Sequence, residues 1–454
     1  MTTLSTIDAI GQAWSLRKSA LTGRSRQLAE SRDRIIRDLV ASGIPNTRSE
    51  DWKYTSLRSV LEKKYDLTRR SGNGPAKMDA SSLSAARALI ESRIAPDAVP
   101  VVFVDGQLYP ELSALRELAN LETLEQAEVS RDVDWWDSWQ THGEQTTFVG
   151  GLTMGLARDG FVLTVPKGVV TRRPVHLLHL SSGQNVEAGQ CVRFLIDIKE
   201  GASVQIFEDY IGQFGPQAGA SAGHLTLAHT QIRVGPNARA GYYRVVTDAP
   251  SSHLGEVSAI LDRSSRLDTF SLVAGAKLAR VGINVKYTAP DAECRMNGLY
   301  LVDQAEHVDH HTSVDHAIDH CRTHQFYKGI LNGNGRAVFN GKIYIRKGTL
   351  GSEAYQTNKN LLLSPDAEVD TKPQLEIDSD DVKASHGAAI GSINPMELFY
   401  LRSRCIAEAD AVAMLCRAFA DDVVLKCENA VAGAVLSRRV AAWFDRVIAG
   451  RGTK

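Results

Sequence analysis

The six cysteines of this 454-residue chain, Cys191, Cys294, Cys321, Cys405, Cys416 and Cys427, include no C-x-x-C pair. That absence speaks against a disulfide framework and against a ferredoxin-type or structural zinc site, which need thiolates gathered at short spacing. Charge of one sign is lacking too: 52 basic against 53 acidic residues leave a formal net charge of -1. No global field therefore favours nucleic acid or an anionic membrane. No apolar run approaches the ~20 residues that span a bilayer, and the first residues carry no secretory apolar core, so the expectation is a soluble, cytoplasmic protein.

Catalytic motifs are equally scarce. In GNGRAVFNGKI, residues 333–343, Gly335 and Gly341 enclose five residues where a phosphate loop has four, and Ile343 follows Lys342 where a hydroxyl is needed. There is no G-x-S-x-G elbow, no H-E-x-x-H helix and no G-x-G-x-x-G after a strand. ATPase, hydrolase and oxidoreductase chemistry find no support in this chain alone.

What the chain does have is three textures, in keeping with a length that predicts about three units. Residues 1–150 read as mainly helical: Ile35, Ile36, Leu39 and Val40 recur at helical spacing before a stop at Gly43 and Pro45. Trp52 and Tyr54 then sit among charges and read as an aromatic lid on neighbouring helices. VPVVFVDGQLY reads as an edge strand with a turn at Asp105-Gly106. Residues 151–392 alternate apolar and polar positions between small turn elements. Gly201, Asn237, Ser264 and Asp291 mark turns, continued by Gln304, Gly335 and Asp366. Strands at that loose interval suit a β-solenoid, in which each rung buries its inward residues against the next. A β-sandwich shares the turn frequency, but so many consecutive strand-rich residues overfill one sandwich.

Residues 393–454 form a helical C-terminal domain. Asn394 can cap, Pro395 fits the first helical position and Glu397 stands where a capping box places its acid. Val412, Leu415, Cys416, Phe419 and Val423 make one stripe, and Leu436, Val440, Trp443, Phe444 and Val447 another. Cys405, Cys416 and Cys427 fall eleven residues apart, on similar faces of one continuous helix, and read as small buried residues.

HVDHHTSVDHAIDHCRTH brings six histidines between positions 307 and 324. At strand periodicity His310, His316, His320 and His324 share one face, and His307 and His311 the other. A metal site on the first face is conceivable, but positions six apart along a strand are about 20 Å apart, beyond one metal's reach. Polar rungs hydrogen-bonded to one another are the competing account. The lone His386, in ASHGAAIG, is followed by small residues that would let another surface approach closely.

The stretch QTNKNLLLSPDAEVDTKPQLEIDSDDVKASHGAAIGSINPMELFYLRSR, residues 356–404, resembles the SufB/SufD family of the SUF iron–sulfur cluster assembly machinery, on its SufD side. SEDWKYTSL, VDHHTSVDHAIDHC, YKGIL and VFNGKI add to the resemblance, which runs from about residue 45 to 424. It implies a mainly β fold, a right-handed parallel β-helix core flanked by helical N-terminal and C-terminal domains. It also implies a non-enzymatic scaffold that pairs with SufB through its β-helix and engages the SufC ATPase through its C-terminal helices.

In relatives the histidine of the S-H-G motif, here His386, lies at the SufB interface and helps hold a nascent iron–sulfur cluster beside a SufB cysteine. The resemblance assigns partner binding to Leu398, Phe399, Tyr400, Leu401, Arg402, Arg404 and Phe419. Imidazole is an acceptable iron ligand while thiolates normally dominate, so a thiolate-poor site should release its cluster readily. No tightly bound cluster is expected on the isolated chain. Two departures stand out: Ala384, where many relatives carry cysteine, and Cys405, where glycine is usual and a packing role is expected.

Two rivals remain. One is a metal-dependent or carbohydrate-processing enzyme on a β-helix, using the 307–324 cluster. The other is a homodimer whose β-helix edges pair with themselves. Deletion of residues 394–454 is expected to abolish SufC binding and leave the β-helix folded.

Overall fold

The computed structural model describes residues 7–19, 28–61, 65, 78–118, 120–139, 147–182, 189–214, 224–247 and 251–447. Helices α1 (Ile7–Ser19), α2 (Ala29–Ser42), α3 (Arg58–Leu61) and α4 (Ala80–Arg93) precede three strands, β1 (Val99–Val104), β2 (Gln107–Leu108) and β3 (Leu121–Thr123). Helices α5 (Leu124–Ser130), α6 (Val133–Ser138) and α7 (Phe148–Leu156) follow. Then come β4 (Asp159–Val165), β5 (Val175–Ser181), β6 (Gly189–Ile198), β7 (Ser203–Gln213), β8 (Leu225–Val234), β9 (Arg239–Val246), β10 (Ser252–Leu261) and β11 (Arg266–Val273). The series continues with β12 (Leu278–Tyr287), β13 (Glu293–Val302), β14 (His307–His316), β15 (Arg322–Leu331), β16 (Arg336–Ile345), β17 (Ser352–Leu362), β18 (Glu368–Ile377) and β19 (Val382–Gly391). Helices α8 (Pro395–Ser403), α9 (Glu408–Val424) and α10 (Ala430–Val447) close the described chain.

From β4 onward each strand pairs in parallel not with its sequence neighbour but with the strand two along. This gives a ten-stranded sheet, β19-β17-β15-β13-β11-β9-β7-β5-β1-β2, and a nine-stranded sheet, β18-β16-β14-β12-β10-β8-β6-β4-β3. The architecture is a parallel β-helix. Period-2 alternation sends one set of side chains into the space between the sheets, where Phe103, Phe161, Phe194, Val257, Val281, Met296 and Phe339 form a closed core.

The turn residues do what their chemistry allows. Gly201, Asn237, Ser264 and Asp291 all have positive φ, between 53° and 65°, and each stands two residues before an odd-numbered strand. Their amides point along the solenoid axis: Gly201 donates to the Pro236 carbonyl, Asn237 to Arg263 and Ser264 to Pro290, at 2.8–3.0 Å. Left-handed backbone favours Gly, Asn and Asp at such corners. His320 belongs to the same corner series, with φ 58° and its amide donating to the Leu350 carbonyl. Gln304, by contrast, lies on a second corner before the even-numbered strands, where Gly333, not Gly335, has positive φ. The markers thus belong to two corner series and not to one.

Helices α1, α2 and α7 share a core with Leu225, Leu227, Leu254 and Leu278 on the outer face of the even-numbered sheet. Gly155 of α7 permits this packing, since a Cβ there would lie 2.4 Å from Ile36 Cδ1. Trp52 packs edge-on against Phe148 and under the Arg280 guanidinium, 3.8 Å from its ring centre, so the lid rests on the sheet as well as on a helix. On the opposite face, Cys416, Ala420, Val423, Val435, Leu436, Val440 and Trp443 of α9 and α10 pack on Phe270, Leu272, Leu299, Leu301 and Ile330. The three cysteines are therefore not on one helix. Cys405 is exposed with φ 63° in the bend between α8 and α9, Cys416 is buried and Cys427 half-buried beyond α9. The positive φ gives glycine an advantage at 405, and the exposure removes the packing role expected there.

Candidate functional site at the last rung

Strands β18 and β19 are each paired on one side only, to β16 and β17. In β19 the register sets Ala384 beside Ala354 and His386 beside Gln356. Ala384 and Val382 are partly buried against the β-helix interior, and alternation puts His386 on that same face. The side chain of His386 is exposed, as are Gly387, Ala388 and Ala389. Nothing lies within 4 Å of a Cβ built on Gly387 or Gly391, so a second backbone can come close. Apolar surface surrounds this strip: Ile390 is 51% exposed and Ile377 40%. The charges on the outer faces of the end strands are already engaged, Lys342 with Glu376 and Arg336 with Glu368, both at 2.8 Å. Lys372 pairs with Glu50 of the N-terminal segment.

The chain then turns into α8. The Asn394 side chain accepts from the Met396 amide at 2.9 Å and Pro395 opens the first turn, as the sequence predicts. No residue of α8 is buried. Met396 is 72% exposed, Phe399 67% and Tyr400 55%, while Leu398 and Leu401 are half-buried. Exposed Arg404 sits 4.8 Å from the Tyr400 ring and exposed Arg402 pairs with Glu408 at 3.0 Å. Phe419 lies elsewhere: it is half-buried, its carbonyl accepts from Lys328 Nζ at 3.0 Å, and its ring lies 4.0 Å from that ammonium. It is engaged within the chain, against β15. Because α9 and α10 cover the outer face of the odd-numbered sheet, deleting 394–454 would expose that apolar face, and the β-helix is not expected to survive it intact.

His310 and His316 share one face of β14 and His307 and His311 the other, as strand counting predicts, but His320 and His324 do not join the first face. His310 and His316 point inward, fully buried, and bond Ser271 Oγ at 2.9 Å and Thr323 Oγ1 at 2.8 Å. His320 occupies the corner and His324 faces outward, stacked on Tyr355. His307 and His311 line the outer face, where buried Asp309 accepts from Arg280 and from Thr55. The arginine and these hydrogen bonds hold Asp309 well below the usual carboxylate range against its burial. Among the described residues, no group of three or more His, Cys, Asp or Glu is placed to hold a metal ion. The described residues thus give the metal-dependent reading no ligand group in this cluster, and His310 and His316 instead form hydrogen-bonded polar rungs.

Burial pushes the Cys294 thiol well up, Cys416 to about 12, and Cys321 and Cys427 to about 11. Thiolate, the form that ligates iron, is disfavoured at these four. Sequence reasoning missed the inward polar residues Gln325, Gln356, Asn358 and Asn360, all buried behind the last rung. Their only signal was polar residues recurring at every second position, which reads as a solvent face.

The fold is a parallel β-helix with flanking helices, and comparison with known proteins gives its family. Residues 179–419 match the family model "SUF system FeS cluster assembly, SufBD core domain", and residues 15–82 match "SufBD protein N-terminal region". The chain belongs to the SufBD family of iron–sulfur cluster assembly proteins. Within that family it is of SufD type: it is 30% identical to the iron-sulfur cluster assembly protein SufD of Escherichia coli over 419 residues, covering 92% of each chain. It is 27% identical to a SufBD family protein of Synechocystis, covering 85% of each. It is 25% identical to the chloroplastic protein ABCI7 of Arabidopsis thaliana, covering 90% of this chain and 85% of that one. Among the described residues, no helix is long and apolar enough to cross a membrane.

Proposed function

We propose that this chain is a non-catalytic scaffold subunit that pairs with SufB through its last rung, holds a nascent cluster between His386 and a partner thiolate, and binds the SufC ATPase through α8. The observation that carries the reading is the placement of His386 on the inward face of an uncovered β-strand, flanked by small residues and exposed isoleucines. A β-helix rung buries its inward side chains only when another rung covers them, so the open end calls for a partner with a complementary edge. An imidazole there reaches a cluster lying between two chains, and softer thiolates must come from the other side, since Ala384 supplies none. Helix α8 offers an apolar face with arginines at its flank, as helix-in-groove recognition requires. ATP hydrolysis falls to SufC, in keeping with the missing phosphate loop.

The test is co-purification of the tagged native chain with its partners, together with anaerobic reconstitution of the pure chain with iron and sulfide. SufB and SufC are expected in the complex, and the chain alone should stay colourless. A stable, stoichiometric cluster on the isolated chain, or a complex without SufB, overturns the proposal.

A further inference from the structure

Behind His386 lies a short relay of buried amides. Thr312 of β14 donates its hydroxyl to Gln325 Oε1 of β15 at 2.8 Å, and Gln356 Nε2 of β17 donates to the same oxygen at 2.9 Å. Gly341 of β16 makes the crossing possible, because a Cβ at that position would stand 2.0 Å from Gln356 Nε2. With its nitrogen tied back to Gln325, the amide of Gln356 directs its oxygen elsewhere. Gln356 is 1% exposed, and its Oε1 has no hydrogen-bond partner among the described residues. A buried carbonyl left without a donor costs about 1–3 kcal/mol, so a donor is to be sought nearby. The residue in register with Gln356 on the next strand, on the same face, is His386. Adjacent strands are about 4.8 Å apart, within reach of an imidazole side chain.

We infer that Gln356 is a positioning residue for His386: its Oε1 takes the imidazole N–H, fixes one tautomer, and leaves the other ring nitrogen bare toward the open end. A neutral imidazole has one donor and one acceptor nitrogen, so holding the proton on one side presents the lone pair on the other. Metal-ligating histidines are oriented by such a bond to a carbonyl or carboxylate. The inference rests on the reading of His386 as a cluster ligand, but the hydrogen bond itself can be tested without any cluster.

The experiment uses the full, cluster-free chain labelled with 15N-histidine at pH 8, where an imidazole of ordinary pKa is neutral. The His386 signals are assigned by their loss in His386→Ala. The wild-type chain is expected to show one tautomer at His386. Gln356→Met, close in volume but without the acceptor, is expected to give a mixture of tautomers. Gln356→Glu, which keeps an acceptor oxygen, should restore the single form, and Thr371→Val, which removes an unpartnered hydroxyl from the inward face of the last rung, should leave it unchanged. Melting temperatures confirm that each variant is folded, and the wild-type measurement needs no variant at all. A tautomer mixture in the wild type, or the same His386 signals in Gln356→Met, overturns the inference and leaves the ligand reading standing. In the SufB-containing complex, Gln356→Met should retain cluster about 10-fold less well, the scale on which such outer partners act. A locked tautomer with unchanged cluster retention in both Gln356→Met and His386→Ala overturns the positioning role together with the ligand reading.

Discussion

The two ends of the β-helix are built from the same kind of rung and finish in opposite ways. At the first end, β3 lies antiparallel over β4, β1 carries β2 on its outer edge, and Leu108, Leu115, Leu118 and Leu121 press on the interior. Phe103, Phe161 and Phe194 stack beneath, with ring centres 4.8–6.4 Å apart. At the last end the same interior column runs out through Val369, Leu375, Val382 and Ala384, all only partly buried, and then reaches His386. A solenoid needs a cap at each end, and an exposed edge strand invites pairing. Here one cap is covalent, and at the other end the described residues supply none. The edges of the open end also differ, since β18 contains Pro373, which lacks a backbone donor, whereas β19 contains no proline.

The largest effect should come from reversing which end is disturbed. Phe161→Ala removes a fully buried ring at the sealed end and is expected to cost about 3–5 kcal/mol of stability, read from urea unfolding. Ile390→Asp at the open end should move the isolated chain by no more than ~0.5 kcal/mol, yet weaken SufB association at least ~10-fold, a loss of ~1.4 kcal/mol. Equal destabilisation by both substitutions would show that the last rung is finished within the chain, and the contrast between the ends would be lost.

Between the ends lies a set of buried histidines whose protonation the fold resists. Burial lowers His176, His310 and His316 to about 4. The unfolded chain takes up these protons near pH 6.5, so it binds more protons than the native state below that pH. Stability should be full above about pH 6.5 and fall down to about pH 4, by roughly 2–3 kcal/mol for each histidine. Urea midpoints at pH 7.5 and 5 would read the drop, and His310→Gln should shrink it while lowering stability at both values. A midpoint that does not move on acidification would mean that these rings are solvated.

Much of this was legible in the sequence. Alternation and the turn markers Gly201, Asn237, Ser264 and Asp291 suited a β-solenoid, the length of the strand-rich stretch favoured it over a sandwich, and the family resemblance implied the parallel β-helix. Within β14 the faces of His307, His310, His311 and His316 were legible, whereas those of His320 and His324 were not. Counting by twos from His310 to His324 ignores the corner at Ala317–Cys321, which moves the chain to the other sheet and changes which positions point inward: Val314 and His316 in β14, Thr323 and Gln325 in β15. Gln356 was hidden for a related reason, since the neighbours of an inward polar residue are long-range and local patterning does not reveal them. His386 stood out through its small neighbours and the family resemblance, but its register with Gln356 is a tertiary fact.

Helix α8 should respond as the open end does. Phe399→Ser with Tyr400→Ser removes two exposed rings and is expected to leave the melting temperature unchanged while weakening SufC binding by about 2 kcal/mol, or ~30-fold. Both side chains stand clear of the core shared by α9, α10 and the odd-numbered sheet. Binding by titration calorimetry at wild-type strength would move the SufC contact elsewhere.

A small effect on the fold is expected at the residue with the largest expected effect on function. His386 is exposed, so its truncation to alanine leaves no cavity, and the expected loss of stability is about 1 kcal/mol, the low end of what an acceptor such as Gln356 Oε1 costs when it loses its donor. Association with SufB should persist, because Ile377, Ile390 and the strand edges remain. What should fail is cluster assembly, measured by complementation in cells lacking the native protein, since the imidazole is the one ligand this strand offers. The same variant separates the two roles a histidine can play here. A purely structural His386 predicts a loss of about 1–3 kcal/mol with assembly restored once the protein is folded, because a bond broken in the interior is felt in stability first. A folded, SufB-bound variant that cannot support assembly ties the open end of the β-helix to chemistry, whereas full complementation would reduce it to an interface alone.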